Sequence, residues 1–277
     1  MTFWEAVLFG FIQGVTEIFP VSSSAHLSIL GNLFGVSNGS FNFRMMTVFM
    51  HFGSLFAILF VFWNEFSEII NDLFIMISAA GGQAKGKRHY PHVRLLLMLV
   101  FSCLPLLLLI PFIDYIEMLY SGSIFIGVML ILTGLILFVG DRMNLGIKDE
   151  RNMSLTDALL IGIAQLAAAI PGISRIACSM TACKACGLSK EFSLKYAYLL
   201  SVFVIFGMNI IHLVTAAQYG FSWAELPLCL VGMAVSGLVG VFAMRIVRNA
   251  AENGRFHNFA YYCWMAGVLF IILTLIF

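Results

Sequence analysis

Charge is what this sequence has least of: Asp, Glu, Lys and Arg make up 10% of its 277 residues, against about a quarter of an ordinary globular chain. With 15 basic and 14 acidic side chains the formal net charge is +1. That excludes the basic field that nucleic-acid binding needs and the acidic tail that a basic partner would meet. No disulfide framework is legible either. Cys103, Cys178, Cys183, Cys186, Cys229 and Cys263 lie scattered in apolar surroundings, where a free thiol packs as a small hydrophobe. Cys183 and Cys186 form a CxxC pair, but a structural zinc takes four ligands and only Cys178 is near them. The opening stretch MTFWEAVLFGFIQGVTEIFP has no basic segment and no small-residue cleavage site, so it reads as part of the fold rather than a removable signal.

What is abundant is apolar: 61% of residues are hydrophobic, 27 are Phe and 15 are Met, and the mean hydropathy is +0.99. The chain is therefore an all-α polytopic membrane protein in expectation, a single integral-membrane domain over 1–277. Stretches long enough to cross occur near 45–63, 95–112, 122–140, 195–215, 224–244 and 258–277, each about the ~20 residues that a spanning helix needs. Positive residues gather in three connections: Lys85, Lys87, Arg88 and Arg94; Arg142, Lys148 and Arg151; and Arg245, Arg248 and Arg255. The positive-inside rule makes these cytoplasmic. The connections with Asp114 and Glu117 and with Glu225 hold no Lys or Arg and belong outside.

Counting crossings then forces 156–190 to enter and leave on one side. It is apolar, broken at Pro171-Gly172 and carries Arg175, the pattern of a re-entrant hairpin, which is tolerated only where protein or a wet cavity satisfies its backbone. The stretch 3–34, broken at Pro20, has the same form and should dip in from the opposite face. Arg44, which falls outside in this scheme, counts against it. Sliding the sequence by 152 residues pairs Glu5 with Asp157, Gly10 with Gly162, Gln13 with Gln165 and Ser22 with Ser174. The expected architecture is an inverted repeat, 1–141 and 152–277, each half a re-entrant hairpin plus three spans. Such repeats place a site at the midplane between broken helices.

The breaks carry the chemistry. In QGVTEIFPVSSSAH, Gln13 and Glu17 are four apart and share a helix face. Pro20 ends that helix, and a new one can start at Ser22 or Ser23, with His26 further along it. A carboxylate, hydroxyls and an imidazole thus gather at a helix N-terminus, which favours anions. The second break, PGISRIACS, offers Ser174 as a cap and Arg175 in the first turn, a planar clamp suited to phosphate. Charges at the bilayer centre cost about 2.5–3.5 kcal/mol each on insertion scales, so Glu17 and Arg175 should face a polar cavity. A plain ion pair that fixes the two hairpins is the structural alternative. His51, His212 and His257 read as structural or interfacial, and Trp63–Leu73 as an amphipathic interfacial helix. The stretch 79–92 reads as a flexible loop.

QGVTEIFPVSSSAH resembles the first motif of the undecaprenyl-diphosphatase (bacitracin-resistance) family, and PGISR, preceded by DALLIGIAQ, resembles its second. The likeness spans nearly the whole chain. It implies a hydrolase that removes one phosphate from undecaprenyl diphosphate, regenerating the monophosphate carrier lipid of bacterial cell-wall synthesis. It also implies a divalent cation, Mg²⁺ or Ca²⁺, a plasma-membrane location with an outward-facing site, and a possible homodimer. By position, Glu17 would bind the metal or handle the proton. Ser23 and His26 would be nucleophile and base or phosphate carrier, and Arg175 would clamp the diphosphate. Gln13, Ser22, Ser24, Ser174 and Ser179 would hydrogen-bond the substrate. The chain departs from the motifs at Ala25, Ile176, Ala177 and Ser179, and elsewhere at Thr47, Phe203 and Cys263, which leaves two alternatives: a polyprenyl-phosphate or anion transporter, and a catalytically silent relative.

Overall fold

The computed structural model describes residues 2–35, 41–78, 91–120, 122–144, 146–219 and 223–276. Among them there is no strand. The helices are α1 (Phe3–Ile18), α2 (Ser23–Leu33), α3 (Phe41–Val61), α4 (Trp63–Ser78), α5 (Pro91–Cys103) and α6 (Ile113–Leu119), then α7 (Ser123–Arg142), α8 (Leu155–Leu166), α9 (Arg175–Ala185), α10 (Lys190–Tyr219), α11 (Leu226–Glu252) and α12 (His257–Ile276). Among the described residues six segments are long and apolar enough to cross a bilayer: Phe43–Val61, His92–Ile116, Ser123–Arg142, Lys190–Val214, Leu226–Glu252 and His257–Ile276. The chain is a multi-pass membrane protein. Lys85, Lys87 and Arg88, with most of the loop expected at 79–92, lie outside the described residues.

Local chemistry sets the helix ends. α1 starts with a capping box in which Glu5 N–H donates to Thr2 Oγ1 at 3.3 Å and Thr2 N–H to Glu5 Oε2 at 2.8 Å. α8 starts the same way, on Ser154 and Asp157. Each is followed by a break and a second helix: α2 after Pro20, with Ser22 as its N-cap, and α9 after Pro171, with Ser174 as its N-cap. The helix after the second break, α9, ends at Ala185, where Gly187, at φ +80°, turns the chain, and α10 begins at Lys190. The span expected at 95–112 is not one α-helix: Leu104–Phe112 is a 3₁₀ helix, because Pro105 and Pro111 lack the N–H that an α-helical ladder uses.

Each broken helix packs on a span from the other half of the chain, and glycine allows the approach. A Cβ on Gly10 would stand 2.6 Å from Gly232 O, and one on Gly14 2.6 Å from Ser236 O, so α1 lies with its backbone against α11. Gly162 brings α8 closer still to α5, where a Cβ would stand 2.3 Å from Ser102 O. The end of α1 is tied down by Tyr198 of α10, which donates to Ile18 O at 2.6 Å. The second break is tied by Thr133 of α7, whose Oγ1 donates to Gly172 O at 2.7 Å and accepts from Ser174 N–H at 3.0 Å.

Charged groups gather at one end of the bundle. Arg94 donates to Met153 O, Lys195 pairs with Glu150, Lys148 with Asp157, His257 with Asp141, and Lys190 donates to Glu252 O. α4 holds Glu68 and Asp72 against His92 and leaves Ile70, Phe74 and Ile77 exposed, the arrangement of a helix lying along an interface.

Gly172 is the tightest point of the second break: φ is +99°, and a Cβ there would stand 2.7 Å from Ile126 O and 2.6 Å from Met129 Cβ. Gly172→Ala should therefore lower the thermal unfolding temperature of the detergent-solubilised protein and its folded yield, whereas Gly207→Ala, where a Cβ meets open space, should leave both near wild type.

Candidate active site

The two breaks meet across a cavity of about 440 Å³. Glu17, in the last turn of α1, is 9% exposed. Its Oε2 accepts from Ser23 Oγ at 2.6 Å and from Gln13 Nε2 at 3.2 Å. Its Oε1 accepts from Arg175 Nη1 at 3.3 Å. Arg175 also reaches the Met208 thioether at 3.6 Å, so most of its five N–H donors are not engaged by described residues.

His51 of α3 is the fourth group on Glu17, with Nε2 3.5 Å from Oε2. Its Nδ1 lies 2.8 Å from Thr47 O, and a carbonyl only accepts, so Nδ1 is the donor there. Nε2 is thus the ring atom that faces the carboxylate. The sequence reads His51 as structural or interfacial, and no local spacing marks it, because it approaches Glu17 from another helix.

Ser22 holds φ +66°, the one positive φ among the described non-glycine residues, a strained conformation of the kind that collects at functional sites. Its Oγ accepts from Ala25 N–H at 3.4 Å and lies 3.1 Å from Ser24 Oγ. Ser24 reaches across to accept from Gly172 N–H at 3.3 Å, joining the two hairpins directly. Ser174 caps α9 by accepting from Ala177 N–H at 3.3 Å. The N-termini of α2 and α9 both open on the cavity, which Ser22, Ser23, Ser24, Ser174 and Arg175 line.

Two expected site residues are placed elsewhere. His26 lies off this cavity: Nδ1 donates to Ser22 O at 2.8 Å, Nε2 is 2.7 Å from Tyr262 Oη, and the two rings stack with 5.7 Å between centroids. Ser179 gives its hydroxyl to Arg175 O at 2.9 Å within α9 and does not line the cavity. Beyond the polar end the cavity wall is aliphatic, with Leu106, Leu107, Ile110, Ile113 and Ile173.

A cation finds a sparse set of donors. Among the described residues no group of three or more His, Cys, Asp or Glu could hold a metal; Glu17 and His51 are the pair available. Such a set fits a cation that takes most of its ligands from a bound anion and water, as Mg²⁺ commonly does.

Comparison with known proteins agrees in one direction. A model of the bacitracin resistance protein BacA family matches residues 6–269. The chain is 31% identical to the undecaprenyl-diphosphatases of Alkaliphilus metalliredigens and of Halothermothrix orenii, over 100% of each chain. It is also 31% identical to that of Methanococcus maripaludis, over 98% of this chain and 99% of the relative.

The Glu17–Arg175 contact allows a thermodynamic test. Arg175→Met leaves the carboxylate buried with only neutral donors and His51, at a cost toward the lower end of the ~3–5 kcal/mol seen when one partner of a buried pair is removed. Adding Glu17→Gln should recover most of that stability in denaturant unfolding. A double variant as unstable as Arg175→Met alone would contradict the pairing.

Proposed function

Because the chain belongs to the bacitracin resistance protein BacA family, we propose that it hydrolyses undecaprenyl diphosphate to undecaprenyl phosphate and inorganic phosphate, recycling the carrier lipid of cell-wall synthesis. The observation that carries this reading is the meeting of Glu17, Ser23 and Arg175 at the head of an aliphatic cavity. The polar end suits a diphosphate and the apolar wall suits the first prenyl units. The carrier's long tail exceeds 440 Å³, so the rest of it lies in lipid between helices.

Phosphoryl transfer depends chiefly on position and charge stabilisation. Ser23 is the nucleophile in this reading, because its hydroxyl already donates to Glu17 at 2.6 Å, the nucleophile–base pairing such chemistry needs. The proton passes from Oγ to Glu17 as Oγ bonds to the terminal phosphorus. The bridging P–O bond breaks and undecaprenyl phosphate leaves, and Glu17 passes its proton to the departing phosphate or to water. Water then attacks the phosphoserine phosphorus, with Glu17 taking its proton and returning it to Ser23 Oγ as the P–Oγ bond breaks and inorganic phosphate leaves. Arg175 turns from Glu17 to the phosphate oxygens, where its planar fork binds bidentately, and the N–H groups at the starts of α2 and α9 favour the same charge. Gln13 and His51 hold Glu17 in place, and Ser22, Ser24 and Ser174 keep the two breaks in register. A divalent cation bound by Glu17 and phosphate oxygens would neutralise part of the diphosphate's charge.

The cavity includes Ile113, Ile116 and Tyr120, at the end away from the Lys- and Arg-rich cluster. With that cluster cytoplasmic by the positive-inside rule, the site opens outward, and the two hairpins enter from opposite faces. A transport function rests on the hairpin architecture alone.

Purified protein in detergent, given undecaprenyl diphosphate and Mg²⁺ or Ca²⁺, should release phosphate. Glu17→Ala, Arg175→Ala and Ser23→Ala should each lose about a thousandfold or more in kcat/KM. A phosphoenzyme trapped by rapid acid quench should be acid-stable, as a serine ester is; an acid-labile species would move the nucleophile to histidine. Absence of phosphate release from wild type, with heat protection by the lipid retained, would favour binding or transport.

A further inference from the structure

The wall of the cavity contributed by α8 holds an amide that bonds to none of the described residues. Gln165 is 1% exposed and lines the cavity, yet neither its Oε1 nor its Nε2 has a hydrogen-bond partner among the described residues. Buried polar side-chain atoms are overwhelmingly paired in folded proteins, and an amide with both ends unpaired in an apolar setting is costly to keep. A packing role alone would be filled better by an aliphatic side chain of the same size.

The 152-residue offset shows what Gln165 has lost. Its counterpart Gln13 donates from Nε2 to Glu17, one turn further along α1. One turn after Gln165 the sequence has Ala169, which leaves the amide no carboxylate to hold. Beyond the breaks the exchange runs in the same sense: Ser23, which hydrogen-bonds Glu17, has Arg175 as its counterpart. One hairpin thus presents a carboxylate and a hydroxyl, and the other an amide and a guanidinium. The second wall is the one built to receive an anion.

We infer that Gln165 is a substrate-contacting residue, its Nε2 donating to a phosphate oxygen of the bound diphosphate on the same wall as Arg175. The inference rests on the phosphatase reading given above and adds a contact to it. The amide atoms are closed to water, so contact requires a change of rotamer.

Gln165→Leu, nearly the same size without either polar atom, tests this. Removing an amide that bonds nothing is neutral or stabilising to the free protein. The variant should therefore melt at or above the wild-type temperature in detergent, while kcat/KM on undecaprenyl diphosphate falls roughly ten- to a hundredfold, as loss of a hydrogen bond to a charged group gives. Heat protection by the diphosphate lipid should weaken in parallel. Gln165→Glu keeps the shape but turns the donor into an acceptor, and it should lose at least as much activity. Wild-type kcat/KM in Gln165→Leu, or full activity in Gln165→Glu, would overturn the contact and leave the phosphatase reading standing. A Gln165→Leu protein that melts lower, with activity lost only in proportion to its folded fraction, would show a structural role instead. A wild-type protein that releases no phosphate would remove both.

Discussion

A carboxylate inside an apolar bundle must be matched on every side, and Glu17 is matched by groups from four helices. Gln13 comes from its own helix, Ser23 from α2, His51 from α3 and Arg175 from α9. Placing a charge of that kind in lipid is expensive, and the structure meets the cost by drawing both halves of the chain to one point. The low overall charge content is the other face of this constraint. A chain with so few ionisable groups in its apolar stretches can hold two opposed ones at its centre only by arranging much of the polar interior around them.

The broken helices impose a second demand, since carbonyls and N–H groups freed by Pro20 and Pro171 need partners where there is little water. Tyr198 closes the end of α1, Thr133 brackets Gly172 and Ser174, and Ser24 bonds Gly172 N–H from the opposite hairpin. Of these groups Ser24 and Ser174 also line the cavity. The features that make the breaks tolerable are thus the ones that shape the site, and a change at Ser24 or Ser174 would be felt in both.

Much of this was legible in the sequence because it is local. Proline at the breaks, serine caps after them, Gln13 four residues before Glu17, and two charges in long apolar runs are all features read within a single turn or two of helix. What escaped is carried by distance along the chain or by choice among similar signals. His51 sits in an apolar run where a histidine looks the same whether it faces lipid, a carbonyl or a carboxylate. His26 is held by a tyrosine 236 residues away, a pairing no spacing predicts, and it turns the ring from the cavity where the motif had suggested it would act. Pro105 and Pro111 were visible, but a hydropathy run does not distinguish a span that continues as a 3₁₀ helix from one that stays α-helical.

The close seating of α1 on α11 has a consequence for how the protein is made. The glycine face of α1 is synthesised long before the surface it fits, Gly232 and Ser236 of α11. Until α11 is in the bilayer, the first hairpin lacks the neighbour that covers its backbone, and a short broken helix has little reason to stay at membrane depth alone. The order of synthesis and the order of assembly therefore run in opposite directions. The acidic residue that defines the cavity is translated well before its partner Arg175 and reaches its final surroundings only after α9 has followed.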